Sequence, residues 1–266
     1  MDASPPPAGL PGARLFDVTG DVVIVTGGGN GIGAVYSRRL AEAGARIVVA
    51  DIDRNAAEAV AGKVREAGGM ALAVAVDIAD ESAATSMAAA AEAEFGRIDA
   101  LVNNAGLMSE LGRRAWHEID VAEWDRVMAV NLRGLFLCCR AVYPYMRRQG
   151  RGKIVNISSG RVFEGTPYRL HYTTSKAGVV GFTRALAREV GGDNICVNAV
   201  APGLTLSGAQ ATTSPPEYVL DYDRGRSLRR SQYPDDLVGA VVFLVSRASD
   251  FITGQTLNVD GGHAMH

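Results

Sequence analysis

The stretch Val22-Val23-Ile24-Val25-Thr26-Gly27-Gly28-Gly29-Asn30-Gly31-Ile32-Gly33 decides the fold class. Its first five residues are apolar or β-branched and predict a buried strand. The glycines predict a tight turn, and Ile32–Ala43 reads as the helix that follows it. Such a turn brings backbone N–H groups and the positive end of the helix dipole to one point, which suits a pyrophosphate. The alternative is a glycine-rich turn that only joins a strand to a helix.

The same alternation of short apolar runs and longer helical stretches continues along the chain. Further strands are predicted at Arg46–Ala50, Ala71–Val76, Ala100–Asn103, Lys153–Ile157, Cys196–Val200 and Thr256–Val259. Further helices are predicted at Asn55–Ala67, Ser82–Phe95, Trp124–Arg148 and Thr173–Val190. Runs rich in Val and Ile are typical of parallel strands buried on both faces. The pattern predicts an α/β fold of Rossmann type, with a doubly wound, mainly seven-stranded parallel sheet and helices on both faces.

The length of 266 residues fits one domain with a short extension. We expect residues 1–16 to form a flexible Pro-rich tail and residues 17–266 to form a single dinucleotide-binding and catalytic domain. Residues 204–233 break the helix and strand rhythm with Pro215, Pro216 and many hydroxyl side chains. This stretch is predicted to be a substrate loop with short helices.

Charge and cysteine content argue against several classes of function. The net charge is −2, with 27 basic and 29 acidic residues, which favours neither nucleic acid nor a membrane surface as a partner. The apolar run Leu237–Val245 is far below the roughly 18 residues that a membrane span needs. Cys138, Cys139 and Cys196 form no C-x-x-C pair, so neither a disulfide framework nor a metal site is predicted. A reducing, cytoplasmic setting is the expectation.

A second motif suggests proton transfer. Tyr172 and Lys176 are four residues apart, so they share one helix face, and Ser159 lies thirteen residues before the tyrosine. A phenol titrates near about pH 10, so a tyrosine base needs its pKa lowered. The nearby ammonium of Lys176 is expected to lower it. Ser158 and Ser159 are both candidates for the hydroxyl that would hold a substrate oxygen.

Taken in this order, the motifs resemble those of the short-chain dehydrogenase/reductase family, in its compact single-domain branch. The spacing G-x-x-x-G-x-G from Gly27 to Gly33 is that family's version of the turn, and the resemblance covers about residues 17–262. It implies NAD(H)-dependent interconversion of a secondary alcohol and a ketone, with Tyr172 as general acid and base. It also implies that Ser159 holds the substrate oxygen, Lys176 holds the nicotinamide ribose, and Asn131 holds a water of the proton relay.

The preference for NAD depends on Asp51, which closes the second predicted strand. A carboxylate there can accept hydrogen bonds from both adenosine ribose hydroxyls and would repel a 2′-phosphate. The alternative for Asp51 is a strand-end turn or a helix cap, and Arg38 and Arg54 keep NADP open. The predicted cofactor-binding set is Gly27, Asn30, Gly31, Ile32, Gly33, Asp51, Ile52, Asp77, Ile78, Asn103, Ala105, Gly106, Tyr172, Lys176, Pro202, Gly203 and Thr205, with Ser207 as an alternative to Thr205.

The substrate is expected to be bound by three loops, Leu107–Trp116, Gly160–His171 and Leu204–Tyr233. Their aromatic residues predict a largely apolar cleft and favour apolar, aromatic or alicyclic alcohols. The chain ending Phe251–Gly262 resembles that of bacterial secondary-alcohol dehydrogenases with such substrates. The loops also carry Arg161, Arg169, Arg224 and Arg226; one could bind a carboxylate, but a solvated surface is the favoured interpretation.

The helices around Asn131 and Lys176 carry apolar faces that either pack on the sheet or remain open to a partner. The family resemblance implies a homotetramer or a homodimer. His263 and His266 are interpreted as side chains of a flexible tail. The alternative function is a non-catalytic NAD-binding sensor or scaffold of the same fold, although such a protein would be expected to have lost part of the catalytic set.

Overall fold

The computed structural model describes residues 15–208 and 214–265. The strands are β1 (Val22–Thr26), β2 (Arg46–Asp51), β3 (Ala71–Ala75), β4 (Ala100–Asn103), β5 (Gly152–Ile157), β6 (Ile195–Pro202) and β7 (Thr256–Val259). The α-helices are α1 (Gly31–Glu42), α2 (Arg54–Glu66), α3 (Glu81–Phe95), α4 (Val121–Met128), α5 (Leu135–Gln149), α6 (Arg161–Glu164), α7 (Leu170–Val190), α8 (Pro216–Gly225) and α9 (Asp235–Val245).

All seven strands form one parallel sheet in the order β3-β2-β1-β4-β5-β6-β7. This confirms the predicted doubly wound α/β fold. The direction of winding reverses between β1 and β4, and open α/β sheets bind ligands in the crevice at the carboxyl ends of strands beside such a point. The glycine turn follows β1 and the segment Asn104–Gly106 follows β4, so both lie at this crevice.

The two faces of the sheet are covered by different helices. One apolar cluster joins the sheet to α3, α5 and α7, and the other joins it to α1, α2 and α9. Within β1, Val22 and Ile24 belong to the first cluster, whereas Val23 and Val25 belong to the second. All four are fully buried, which explains why the strand reads as an unbroken apolar run rather than as an alternating one.

The predicted helix Trp124–Arg148 is divided in the structure. A π-helical turn, Ala129–Gly134, lies between α4 and α5. The apolar pattern continues through this turn, so the change in backbone spacing could not be predicted from it. Gly134 ends the turn where space is short, because a Cβ there would lie 2.9 Å from the Ile78 side chain.

The ends of the chain differ in part from expectation. Residues 1–14 of the predicted tail lie outside the described residues, as do residues 209–213 of the substrate loop and His266. Leu15 and Phe16 are held in place: Ala248 N donates to Leu15 O at 2.9 Å, and the Phe16 ring lies 6.2 Å from that of Phe243. In the described part of the chain, no helix combines the length and the apolar character that crossing a membrane requires.

Candidate functional site

The glycine turn after β1 is closely packed. Gly27 and Gly31 have φ values of +62° and +52°, which lie in the left-handed region that favours glycine. A Cβ on Gly33 would lie 2.0 Å from Gly27 O, and one on Gly29 would lie 2.8 Å from Ala57 N. Asn30 begins α1 without a side-chain capping bond. The turn therefore brings backbone close to a ligand position at an uncapped helix N-terminus, which fits a pyrophosphate.

Two polar side chains join the loops on either side of the crevice. The Thr26 hydroxyl accepts hydrogen bonds from Asn104 N and Ala105 N, both at 3.1 Å. The Asn104 amide donates to Thr26 O at 3.0 Å and to Gly27 O at 3.2 Å. Thr26 and Asn104 were absent from the predicted site set, although they fix the two loops that form its floor.

Asn103 contributes differently from what its place in the predicted set suggests. Its side-chain amide donates to Asn156 Oδ1 at 2.9 Å and lies 3.2 Å from the sulfur of Cys139. The side chain thus links β4 to β5 and α5. The predicted contact between Asn103 and a cofactor would therefore be made by its main-chain atoms.

Asp51 can both organise its own turn and bind a ribose. Its Oδ2 accepts from Gly29 N at 2.9 Å and its Oδ1 from Asp53 N at 3.0 Å. A carboxylate offers about four lone-pair sites, so two remain for ribose hydroxyls. The neighbouring Ile52 side chain is 73% exposed, which leaves an apolar surface beside the ribose position.

The predicted residues after β3 separate into two environments. Asp77 is exposed, and its Oδ1 accepts from Ala79 N at 2.9 Å, as expected of a turn residue. Ile78 is buried against Gly134 in the π-helical turn. Neither position excludes contact with an adenine ring, and their assignment stays a prediction.

Ser159, Tyr172 and Lys176 come together below the crevice. Tyr172 lies in the first turn of α7, is buried, and shares a hydrogen bond with the Ser159 hydroxyl. The Lys176 ammonium lies 5.9 Å from the Tyr172 ring centroid and donates to Ile157 O at 2.8 Å. The Ser158 hydroxyl instead donates to Lys176 O at 2.8 Å. Of the two serines, Ser159 is the one that meets the tyrosine.

Asn131 lies inside the π-helical turn and connects the site to the loop after β4. Its Oδ1 accepts from Leu107 N at 2.7 Å, and its Nδ2 donates to Leu107 O at 3.2 Å and to Ser175 Oγ at 3.1 Å. A Cβ on Gly106 would lie 3.2 Å from Asn131 Oδ1 and 3.3 Å from Lys176 Nζ. Asn131 and Lys176 therefore converge under Gly106, and π-helical turns often occur at functional sites.

Burial controls both titratable groups of the cluster. Burial raises the pKa of Tyr172, and the hydrogen bond with Ser159 and the charges of Arg161 and Arg169 only partly offset it. Burial also lowers the pKa of Lys176 to about 8. Lys176 was expected to lower the tyrosine pKa, but burial outweighs the nearby charges, and in the protein alone the pKa of Tyr172 is raised.

The segment after β6 closes the crevice from the far side. Gly160 N donates to Pro202 O at 2.8 Å. The Thr205 hydroxyl lies 3.1 Å from Gly203 O and 3.3 Å from Gln232 Oε1, so it is engaged within its own loop. Ser207 Oγ lies 3.7 Å from the position of a Cβ on Gly31. Ser207, which the sequence offered as the alternative, is therefore the hydroxyl nearer to the glycine turn.

Two side chains assigned to the solvent or to a loose tail are instead ordered parts of the substrate-loop wall. Arg226 is 3% exposed, donates to Asp260 O at 3.0 Å and lies 4.8 Å from the Tyr222 ring centroid. His263 stacks on that ring at 3.9 Å. The surface interpretation of Arg226 and the flexible-tail interpretation of His263 were therefore wrong.

The described residues contain no group of three or more His, Cys, Asp or Glu side chains that could hold a metal ion. The site consists of a glycine turn at a helix N-terminus, a strand-end aspartate and a buried Ser-Tyr-Lys-Asn cluster, all at one edge of the sheet.

Comparison with known proteins agrees with this arrangement. A family model described as enoyl-(acyl carrier protein) reductase matches residues 27–264. The chain is 42% identical over 248 residues to an uncharacterized oxidoreductase of Mycobacterium tuberculosis, a match that covers 93% of this chain and 98% of the relative. It is 38% identical over 242 residues to the cis-4-hydroxycyclohexanecarboxylate dehydrogenase of Sinomonas cyclohexanicum, which covers 91% of this chain and 96% of the relative.

The fold agrees as well. The structure of a 7α-hydroxysteroid dehydrogenase complexed with NADH and 7-oxo glycochenodeoxycholic acid superposes with a TM-score of 0.90 at 32% identity, covering 97% of this chain and 99% of that chain. The chain belongs to the short-chain dehydrogenase/reductase family of oxidoreductases.

Proposed function

We propose that the protein interconverts a secondary alcohol and a ketone with NAD(H), and that Tyr172 is its general acid and base. The observation that carries the proposal is the joint placement of Ser159, Tyr172, Lys176 and Asn131 beside the glycine turn. A proton donor and a nucleotide-binding turn at one edge of a sheet are the parts that hydride transfer needs.

Each side chain has a role that follows from its contacts. The Ser159 hydroxyl, bonded to that of Tyr172, can hold the substrate oxygen next to the proton that moves. Lys176 lies below the tyrosine ring, where an ammonium favours the phenolate form. Asn131 fixes the loop after β4 beside that ammonium. When bound, the nicotinamide supplies the hydride acceptor or donor.

The proposed cofactor is NAD rather than NADP. Asp51 ends β2 beside the glycine turn and keeps free lone pairs for the ribose hydroxyls, and its charge would repel a 2′-phosphate. The turn residues Gly27, Asn30, Gly31, Ile32 and Gly33 would hold the pyrophosphate. The solved 7α-hydroxysteroid dehydrogenase, a structural neighbour, was crystallised with NADH.

The proposed assembly is a homotetramer or homodimer built on the faces of α4, α5 and α7. A groove there is lined by Met128, Leu132, Phe136 and Phe182 between the charged residues Asp125, Arg126 and Arg133. Phe136 remains 42% exposed, and its ring meets that of Phe182 at 6.4 Å in an edge-on contact. A second copy of the chain would cover this apolar surface. A cytoplasmic location stays a prediction that rests on the cysteine pattern.

The test is Tyr172→Phe, assayed by NADH absorbance with a panel of secondary alcohols and ketones. Loss of a general acid and base should lower kcat by about 10²–10⁴-fold while NAD⁺ binding stays nearly unchanged. Because burial raises the pKa of Tyr172, alcohol oxidation by the native enzyme should increase with pH.

The matched control is Tyr143→Phe on α5, away from the site, which removes a hydroxyl that donates to Asp193 and should leave turnover unchanged. Full turnover in Tyr172→Phe would refute the assignment. NAD⁺ binding without turnover of any panel member would favour the non-catalytic sensor or scaffold.

A further inference from the structure

Three arginines lie around the approach to Tyr172. Arg161 begins α6, two residues after Ser159, and Arg169 immediately precedes α7, three residues before the tyrosine. The charges of both lower the pKa of Tyr172, so both are within electrostatic reach of its hydroxyl. Arg113 lies close enough to Arg169 to lower the pKa of that guanidinium, after burial and together with Arg161. The site thus concentrates positive charge beside the reacting hydroxyl.

No carboxylate among the described residues pairs with Arg113, Arg161 or Arg169. The neighbouring Arg114, in contrast, forms an ion pair with Glu123 at 3.4 Å. Like charges that are held together without a counter-ion repel one another, and an anion that binds among them relieves the repulsion. The missing negative charge is therefore one that a ligand can supply.

The two half-buried guanidiniums are fixed but not saturated. Arg161 Nη2 donates to Pro167 O at 2.9 Å, and Arg169 Nη2 donates to Leu111 O at 3.0 Å. A guanidinium has five N–H donors, and the Nε atoms of both arginines are buried without a partner in the described part of the chain. Main-chain carbonyls hold the groups in place while donors remain for another acceptor.

Aromatic rings connect these charges to the wall of the pocket. The Arg113 guanidinium lies 5.4 Å from the Tyr168 ring centroid and 5.2 Å from that of Tyr218, which belongs to α8. Tyr168 has a φ of +71°, a conformation that is disfavoured for tyrosine, and residues strained in this way tend to cluster at functional sites. Arg113 therefore lies where all three predicted substrate loops meet.

We propose that Arg161 and Arg169 form a carboxylate-binding subsite beside Tyr172, with Arg113 at its entrance. The substrate is then a secondary alcohol or ketone that also carries a carboxylate. The planar fork of a guanidinium matches the two oxygens of a carboxylate, which makes arginine the residue suited to this contact. The alcohol half of this inference rests on the proposed function, whereas the anion subsite does not require turnover.

The first experiment measures binding without catalysis. The NAD⁺-loaded enzyme is titrated by calorimetry with cyclohexanecarboxylate and with cyclohexanecarboxamide, which share a shape and differ in charge. Charge-assisted hydrogen bonds should make the carboxylate bind about ten- to a hundredfold more tightly. Arg161→Gln and Arg169→Gln should each remove most of this preference, whereas Arg224→Gln, on the exposed end of α8, should keep it.

If Arg169→Gln fails to fold, Arg113→Gln at its exposed position provides a second variant, for which a smaller loss of preference is expected. Equal affinity for the two probes in the native enzyme, or a preference that no arginine variant changes, overturns the subsite.

The second experiment separates the subsite from the proposed function. The kcat/KM for 4-hydroxycyclohexanecarboxylate is compared with that for its carboxamide by NADH absorbance. A preference for the carboxylate that disappears in Arg169→Gln supports both proposals. Better turnover of the carboxamide overturns the subsite and leaves the proposed function standing. Arginine-dependent carboxylate binding with no turnover of either alcohol supports the subsite and counts against the proposed function.

Discussion

Replacing Lys176 with methionine should make the protein more stable while it removes activity. Lys176 is 4% exposed, and no carboxylate among the described residues contacts its ammonium; its hydrogen-bond partner is the main-chain oxygen of Ile157 at 2.8 Å. The pKa of the amine falls from 10.5 to about 8, and burial is the cause. The charge that Lys176 carries at neutral pH therefore destabilises the folded state.

The magnitude follows from that shift. Each pKa unit corresponds to about 1.36 kcal/mol, so holding the ammonium in the fold costs about 3 kcal/mol at pH 7. Methionine has a similar length and no charge, but it leaves Ile157 O without its hydrogen bond. The loss of that hydrogen bond lowers the free energy of unfolding by about 1 kcal/mol. The net gain in the free energy of unfolding should be about 2 kcal/mol.

The sign of the pH dependence distinguishes this explanation from better packing. Below pH 8 the lysine is protonated in both states, and the full cost of burial is present. Between pH 8 and 10.5 the folded state releases its proton first, so the unfolded state binds more protons and the native protein gains stability as pH rises. The advantage of Lys176→Met must therefore shrink across this window.

Urea unfolding at about pH 7 and about pH 9.5, at one protein concentration, measures both effects. The advantage of Lys176→Met should fall by about 2 kcal/mol between the two pH values. Lys63→Met, at an exposed position of α2, is the control and should change stability by no more than about 0.5 kcal/mol. A variant less stable than the native protein at pH 7, or an advantage that does not change with pH, would refute the reasoning.

Two further predictions concern the cofactor and the assembly. Asp51→Asn combined with Ile52→Arg should raise the kcat/KM ratio of NADP⁺ over NAD⁺ by at least about tenfold, because a repelling charge is removed and a cation is added beside the 2′-phosphate. The amide oxygen of the new asparagine can still accept from Gly29 N. An unchanged ratio would show that Asp51 does not bind the ribose. Phe136→Asp should convert the oligomer to smaller species in light scattering, because it places a charge in the apolar groove. The control Met70→Asp, at an exposed position before β3, should not change the mass. An unchanged mass in Phe136→Asp would exclude this face as the interface.

The sheet could be predicted from the sequence because its signals are local. The bounds of β1, β4 and β7 agree with the predicted strands, since each is a short apolar run that ends at a turn residue. The π-helical turn Ala129–Gly134 could not be predicted, because the apolar pattern continues through it and only the backbone spacing changes.

The candidate site likewise has features that local sequence predicts and features that only the fold determines. The proximity of Ser159, Tyr172 and Lys176 could be predicted because a strand end and one helix face fix their spacing. Thr26 and Asn104 were missed because their contact joins residues 78 positions apart, and nothing local marks either of them. The raised pKa of Tyr172 in the protein alone could not be predicted, because burial is a property of the packed protein.

The arginines show most clearly what only the fold can decide. Arg226 and Arg161 have the same side chain and lie in loops assigned to the same pocket. Arg226 is buried, donates to several main-chain oxygens and pairs with Asp223, so its charge and donors are used within the protein. Arg161 is half-buried and keeps an unpartnered Nε. Tertiary partners, rather than residue type, separate a structural arginine from one available to a ligand.

Features that cost stability concentrate in one part of this molecule. Lys176 carries a buried charge, the arginines beside Tyr172 lack counter-ions among the described residues, and Tyr168 holds a backbone conformation that costs about 1–3 kcal/mol. Most arginines that form ion pairs in the described part of the chain, such as Arg39 and Arg230, meet a carboxylate at the surface. Proteins depart from favourable local choices mainly where function requires it. The concentration of these costs around Tyr172 therefore supports the proposed active site on grounds other than the sequence motifs, and it favours the proposed arginine subsite beside that tyrosine.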